Sequence, residues 1–419
     1  MVPDRLGDRK WDAAVVAELP LTGLVVAAGN TTATKLAARL LEQLGASVDA
    51  TGLEPSDPGR DPEADWGASH LAAVTGRTDG TRLLPVGEPA TFASACALGI
   101  ETLSTRAGTP VHVDGPTELG ARLGVLQERG TGGTTSVGGA TRLLQTSDGW
   151  CAVTLPRLSD LALVPALTGD DSGDDPWIVA SRWAASRSKA EIEIRAELLG
   201  IAAAGVADPP VPKAPWKVNE INRLGGGMGS RLVVNLGSLW AAPLCAQVLH
   251  RAGYHVVDIE SPARPDGARA STPPFYARLH DGHERVVLAL DEPAGRQGLR
   301  ELLREATVVI TGSRARSLSR LGVTRAAVAA RNDQVWVSIT GYGKDSERSG
   351  FGDDAAAAAG LVAWDRDGPV FVGDAIADPL TGLAAALATL AALGSGGGWD
   401  IELALCDVAA AAATWRLTS

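Results

Sequence analysis

Among the 49 acidic residues of this 419-residue chain, Asp378 has the most informative position. It lies in Ile376-Ala377-Asp378-Pro379-Leu380-Thr381-Gly382, after an apolar strand at 369–373 and just before an Ala/Leu-rich helix at about 380–394. Two roles fit an aspartate there. One is a helix N-cap, with the carboxylate accepting backbone N–H groups of the first turn. The other is a reactive carboxylate at the carboxyl edge of a parallel sheet, where open α/β sheets place their ligands. Position alone favours the cap. Other chemistry is sparse. The six His residues (70, 112, 250, 255, 280 and 283) show no triad or metal spacing, and His280 and His283 flank a turn, HDGH, that reads as solvated. Cys96, Cys151, Cys245 and Cys406 form no CxxC pair, which excludes a zinc motif or secreted disulfide framework and leaves small buried thiols. The loop at 235–243, NLGSLWAAP, lacks the dinucleotide fingerprint GxGxxG, and Gly225 to Gly229 precede a strand, the wrong end for cradling a phosphate. GxxxxGK[ST], GxSxG and HExxH are also absent.

Elements that would position Asp378 are legible in the second half. Strands read at 231–237, 255–260, 307–312 and 335–341, separated by helices at 242–252, 293–305 and around 314–331. Gly253 stops the first of these helices. Short apolar strands alternating with helices imply a parallel sheet covered on both faces. A strand at 399–405 and an Ala-rich helix follow the Asp378 block. The segment at 209–230, rich in Pro and then Gly, reads as a linker or extended strap. Residues 140–205 read as a separate α+β module, with a turn at Asp148-Gly149 and a capping box of Ser188 with Glu191. The first half repeats the second in worn form: residues 23–52 parallel 231–260, and 86–103 parallel 372–390, in the same order. The fold class is therefore α/β, with Rossmann-like parallel sheets in two related large-domain copies plus a smaller α+β module. Boundaries fall at 1–130 (worn copy), 131–208 (small module), 209–230 (linker) and 231–419 (intact copy).

Composition bounds the partners. The net charge is −11, and no Lys/Arg run stands out, so neither nucleic acid nor an anionic membrane is an expected partner. With 45% hydrophobic and 21% charged residues the chain is globular, large enough for two or three domains. The N-terminus is polar and lacks a signal-peptide core, and the longest apolar stretch, roughly 380–393, is shorter than a membrane span. A soluble cytoplasmic protein is expected.

Five ordered blocks of residues 231–419 resemble the family III CoA-transferases, the group that contains formyl-CoA:oxalate and carnitine CoA-transferases. NLGSLWAAPLCAQVLHRAGYHVVDIESP resembles that family's opening strand, helix and strand. FYARLHDGHERVVLALDEPAGR resembles its Asn-Arg-Gly-Lys stretch, strand and Asp-Pro-Glu-Gly-Arg. TVVITGSRARSLSRLGV resembles its strand and Arg-Leu-Gly loop, and VWVSITGYG its V-S-I-S-G-F-G strand. IADPLTGLAAALATLAAL resembles the block around the family's nucleophilic aspartate, with Asp378 at that position. Residues 20–125 look like a degenerate copy of the same region, and residues 128–150 like the family's glycine loop and T-x-D-G-W strand.

The resemblance implies a transferase moving CoA from an acyl-CoA to a carboxylic acid through an aspartyl anhydride and an aspartyl-CoA thioester. Asp378 would be the nucleophile, held ionised by its helix N-terminus. Gly132, Gly133, Gly138 and Gly139 would supply backbone donors to the oxyanion. Coenzyme A, as co-substrate, would meet Leu239, Trp240, Ala241, Arg264, Arg269, Gly312, Ser313, Arg314 and Arg320; no metal and no redox cofactor are expected. Two positions depart from the family pattern: Gly312-Ser313 stands for its Asn-Phe loop, and Asp258 for its basic residue before Glu260. The family forms interlocked dimers, so the chain is expected either to mimic that dimer as a monomer or to form a homodimer. Two rivals are an α-methylacyl-CoA racemase and a catalytically silent CoA-binding regulatory subunit. Against the racemase, Phe351 stands at its His position in GFGDD (350–354). For the silent subunit, the worn copy offers only Phe92 or Glu88 opposite Asp378.

Overall fold

The computed structural model describes residues 19–49, 60–126, 133–222, 230–312, 319–328 and 331–415. The first half opens with a parallel pair, β1 (Val25–Ala27) and β2 (Ser47–Asp49), joined by α1 (Thr32–Gln43). Thr31 and Thr34 form a reciprocal capping box that starts α1. α2 (Pro62–Ala68), the buried α3 (Pro89–Arg106) and α4 (Gly115–Leu119) follow. Pro stands in the first turn of each of these three, where a missing N–H costs nothing.

The small module is a three-stranded antiparallel sheet of β3 (Thr141–Thr146), β4 (Gly149–Thr154) and β5 (Ala202–Gly205), turning at Asp148-Gly149. α5 (Leu158–Leu161), α6 (Val164–Thr168), α7 (Pro176–Ala184) and α8 (Lys189–Leu199) cover it. Its core joins Leu144 and Val153 to Trp177 and Ile192. The Ser188 capping box is present, with Glu191 Oε2 accepting the Ser188 N–H at 2.8 Å.

The rest of the chain builds a seven-stranded sheet. Its elements are β6 (Lys217–Asn222), β7 (Leu232–Asn235), α9 (Ala241–Arg251), β8 (His255–Glu260), α10 (Gly267–Ser271), α11 (Pro273–Leu279), β9 (Glu284–Val287), α12 (Pro293–Glu305), β10 (Val308–Thr311) and β11 (Val335–Thr340). Then come α13 (Gly352–Ala358), the hairpin β12 (Val362–Asp365) and β13 (Gly368–Phe371), α14 (Ala377–Ser395), β14 (Gly398–Ala404) and α15 (Leu405–Thr414). The order is β6-β14-β11-β10-β7-β8-β9, parallel throughout except for β6 on the edge. The chain runs outward from β7 to β9 and returns to place β10 on the other side of β7. This makes the β7/β10 junction the topological switch point, the place where open α/β sheets bind their ligands.

Three sequence expectations change. Residues 217–222 of the expected linker are a strand of the main sheet, because their backbone pairs with β14. The strand before Asp378 is not in that sheet but pairs antiparallel with β12. α14, at 19 residues, is long and apolar enough to cross a membrane by length and composition. It is instead the central core helix, 83% buried over that apolar window. One hydrophobic cluster runs through both halves, joining Leu36, Phe92 and Ile100 to Trp240, Val337, Leu380 and Leu387. α3 lies against α14, and each packs on the crossover helix of its own half, α1 and α9. Glycines permit the close approaches: a Cβ on Gly99 would sit 2.7 Å from Leu387 Cδ1, and one on Gly382 2.8 Å from the Ala241 carbonyl oxygen.

Candidate active site

Asp378 is the second residue of α14, not its cap. The cap position is Ile376, which is already helical and makes no side-chain capping bond. The Asp378 side chain stays partly exposed although its neighbours Ala377 and Pro379 are buried. Among the described residues nothing hydrogen-bonds its carboxylate. The turn before it is strained and held from three sides. Ala375 has φ +46°, a conformation unfavourable for a residue with a Cβ. Its N–H donates to Asp353 Oδ1 at 2.8 Å, and the Gly373 N–H donates to Thr75 Oγ1 at 3.0 Å. Between them, fully buried Asp374 takes a bidentate bond from Arg122, whose Nε and Nη2 lie 2.7 and 2.6 Å from Oδ2 and Oδ1.

Arg122 comes from the first half of the chain, with its guanidinium 5.3 Å from the ring centre of Trp240. Trp240 is itself 1% exposed and meets Phe275 edge-on at 4.8 Å. Its side chain therefore supports Arg122 rather than presenting a face to ligand. Three carboxylates act on this one guanidinium, Asp374, Asp353 and Asp378, and a fourth, Asp354, adds its charge beside Asp353 and Asp378. Burial pushes Asp378 up to about 7; Arg122 opposes this, and the charges of Asp353, Asp354 and Asp374 add to it. Asp353 is pushed up to about 7, by burial and then by Asp374, against Arg122. Asp354 rises to about 6 by burial, restrained by hydrogen bonds from Tyr342 and Thr154. The expectation that the helix N-terminus keeps Asp378 fully ionised at neutral pH is thus reversed, because desolvation and like charge outweigh the dipole.

The glycine segment reaches this cluster. A Cβ on Gly138 would lie 3.6 Å from Arg122 Nη2 and 3.9 Å from Asp374 Oδ1, so this backbone rests on the ion pair. The Gly133 carbonyl accepts the Phe371 N–H at 3.1 Å, which ties the segment to β13. The Gly139 N–H already donates to the Ser136 carbonyl at 2.8 Å, so it is not a free oxyanion donor. Gly132 lies outside the described residues.

Of the other expected positions, those after β7, β8 and β10 that the structure describes lie at the carboxyl edge of the sheet. Leu239, at φ +71°, lies in the loop after β7, and its N–H donates to Asp266 Oδ2 at 2.9 Å. Ala241 begins α9 and is buried. Gly312, after β10, meets the same loop: a Cβ there would be 3.0 Å from Gly237 Cα. Leu239, Trp240, Ala241 and Gly312 therefore lie together at the switch point, Trp240 and Ala241 buried beneath the loop surface. Arg264 is exposed in the turn after β8, and Arg269 pairs with Glu260 at 2.9 Å. Arg320 is exposed, while Ser313 and Arg314 lie outside the described residues.

Arg122, Asp353 and Asp374 were not anticipated. Asp374 stands four residues before Asp378 at a helix start, a spacing that could have drawn attention; Arg122 carries no local signal. The HDGH turn is exposed at Asp281 and Gly282, but its two histidine side chains are not solvated. The His283 side chain is 1% exposed, and Nδ1 of His280 and of His283 lie 2.6 and 2.9 Å from Asp258 Oδ2. The cysteines are free, three of them buried, as expected for core thiols.

Comparison with known proteins follows the same half of the chain. Residues 229–419 match the model of CoA-transferase family III. The succinate–glutarate CoA-transferase of Agrobacterium fabrum is 30% identical over 203 residues, covering 43% of this chain and 51% of that one. The (R)-2-hydroxy-4-methylpentanoate CoA-transferase of Clostridioides difficile is 29% identical over 180 residues, 38% of this chain and 45% of that one. Among solved structures, a CAIB/BAIF family protein from Brucella suis aligns with a TM-score of 0.41 and 27% identity, covering 44% of this chain and 55% of that one. The chain spans about half the length of the curated relatives it matches. The likeness to CoA-transferase family III is thus carried by residues 229–419.

Proposed function

We propose that the chain moves CoA from an acyl-CoA donor to a carboxylic acid acceptor, with Asp378 as the covalent nucleophile. The observation that carries this reading is the Asp378 carboxylate itself: partly exposed, without a hydrogen bond among the described residues, and set by a strained turn at the N-terminus of the core helix. Its Oδ attacks the thioester carbonyl, the CoA thiolate leaves, and a mixed aspartyl anhydride forms. The thiolate returns to the aspartyl carbonyl, releases the donor acid and leaves an aspartyl-CoA thioester. The acceptor carboxylate attacks that thioester, and the thiolate then attacks the acceptor half of the new anhydride, freeing Asp378. Neither metal nor redox chemistry enters these steps. Each addition builds charge on a carbonyl oxygen. Gly138, whose backbone rests on the Arg122–Asp374 pair and whose N–H has no backbone partner among the described residues, is the candidate donor for it.

Arg122 acts through Asp374. It locks the turn that aims Asp378 and supplies the positive charge that keeps a useful fraction of Asp378 ionised near neutrality. CoA would lie along the carboxyl edge of the sheet, over the β7 and β10 loops. We further propose that residues 20–125 are a worn copy of the family's large domain and stand in for a partner subunit, since Arg122 reaches the site from there. A soluble cytoplasmic enzyme follows from this reading. The test is a panel of acyl-CoA donors and carboxylic acids analysed for new acyl-CoA by mass spectrometry. Transfer that disappears in Asp378→Asn supports the proposal; CoA binding without transfer on any pair favours the silent regulatory subunit.

A further inference from the structure

Asp258 lies in β8, opposite Asn235 of β7 in the sheet register. The Asn235 amide donates to Asp258 Oδ1 at 2.8 Å, which leaves Oδ2 facing away from it. His280 follows α11, His283 precedes β9, and the turn between them passes through Gly282 at φ +76°. Both imidazoles turn their Nδ1 toward that same Oδ2, at 2.6 and 2.9 Å. The side chains of Asp258, His280 and His283 are 6%, 10% and 1% exposed.

Protons alone serve this arrangement poorly. If each neutral ring donates its Nδ1–H to Asp258, both Nε2 atoms become buried acceptors, and neither has a hydrogen-bond partner among the described residues. If both rings are protonated, two buried cations share one carboxylate and two buried N–H donors are orphaned. A cation among the three ligand atoms, which all lie within 4.8 Å of one another, resolves part of the conflict. Both Nδ1 lone pairs and Oδ2 then coordinate with both rings neutral, and each Nε2 carries its ring's N–H, that of His283 having no partner among the described residues. His280 Nε2 lies 3.9 Å from Asp266 Oδ2, close to the carboxylate–histidine–metal arrangement that fixes a ligand ring. Tyr276 stacks on His280 with ring centres 4.1 Å apart and is itself tied to Glu260 by a 2.9 Å hydrogen bond.

We propose that Asp258, His280 and His283 bind one divalent transition-metal ion, of the zinc class given two imidazole nitrogens and one carboxylate oxygen. Three protein ligands leave a fourth position for water. The ion takes no part in transfer at Asp378. It staples β8 and the α11–β9 turn to the loop at the switch point, because Asn235 Oδ1 accepts the Gly237 N–H and Asp266 accepts the Leu239 N–H, each at 2.9 Å.

The test uses the full chain, stripped with chelator and titrated with Zn2+ and with Co2+ as a spectroscopic probe. The expected result is one ion per chain by elemental analysis, a saturable visible Co2+ band, and X-ray absorption showing two imidazole ligands. His283→Ala and the milder His280→Gln should each weaken Co2+ binding at least ~100-fold, and Asn235→Ala ~10–100-fold as an outer-shell change. Asp378→Asn should bind the metal as wild type does. Absence of stoichiometric binding by the wild-type chain, or undiminished binding by a folded His280→Gln variant, overturns the proposal. If the histidine variants fail to fold, the absorption spectrum of the wild-type complex decides: fewer than two imidazoles contradicts the site.

Discussion

Asp353→Asn isolates the electrostatic control of Asp378, the proposed nucleophile. Asp353 accepts the Ala375 N–H at 2.8 Å and the Thr141 hydroxyl at 3.3 Å. Asparagine keeps the first bond through its carbonyl oxygen and turns an amide N–H toward Thr141, so the strained turn should persist. What changes is one negative charge beside Asp378, in a cluster that also holds Asp354, Asp374 and Arg122. With Asp378 titrating at about 7, roughly a tenth of it is ionised at pH 6 and about nine-tenths at pH 8. The reactive form is the carboxylate, so wild-type kcat/KM should rise about tenfold between those pH values. Asp353, itself raised to about 7, is mostly neutral at pH 6, so removing its charge lowers the Asp378 pKa chiefly where the two compete for ionisation; the variant should exceed wild type most near pH 7 and reach its plateau at lower pH. Stability moves by linkage. A carboxyl raised in the fold holds a proton that the unfolded chain releases, so the stability from Asp353 is full below about pH 4 and lost as pH rises through about 7. Asp353→Asn should therefore lose less urea resistance than wild type between pH 5 and 8. Initial rates of acyl-CoA exchange over that range, with urea unfolding alongside, give both readouts. A wild-type profile flat from pH 6 to 8, superimposable on that of the variant, would refute this reasoning.

The remaining predictions concern support and binding. Arg122→Gln breaks a buried bidentate pair and should cost about 3–5 kcal/mol in denaturant unfolding, while Arg122→Lys should recover part of that and shift the acid limb of the rate profile less. Gly312→Val fills the 3.0 Å gap to Gly237 and should weaken CoA binding in calorimetry without lowering the melting temperature by more than a few degrees. Arg320→Ala should cost ~1–3 kcal/mol of CoA affinity if it contacts a phosphate; unchanged affinity removes it from the site. Proteolysis within 209–230 should leave fragments that co-elute on a sizing column, because one core joins Phe92 and Ile100 to Leu380 and Leu387.

Local signals carried much of the architecture. β8 at 255–260 and α12 at 293–305 fall where Gly253, Pro293 and the apolar runs place them. Less legible were features set by long-range packing. β6 is recruited into the sheet by pairing with β14, which no pattern in a proline-rich stretch announces. β13 reads as a sheet strand but turns back on β12. The block around Asp378 was legible through its resemblance, whereas its ionisation was not: a helix N-terminus is a local feature, and burial among Asp353, Asp354 and Asp374 is not. Arg122 illustrates the same limit, since an isolated arginine in a worn segment acquires a role only when the two halves meet. Asp258 and the two histidines are 22 and 25 residues apart, and only the β8–β9 pairing brings them together.

The central claim is covalent catalysis at Asp378, and the most direct measurement is peptide mass spectrometry of the chain quenched during turnover with an acyl-CoA donor. The account predicts a CoA mass on the peptide containing Asp378, converted to a hydroxamate by hydroxylamine and absent from Asp378→Asn. Because Asp378 makes no capping bond, that variant should fold as wild type does. Sustained transfer by Asp378→Asn, or turnover with no adduct on the Asp378 peptide, would contradict it.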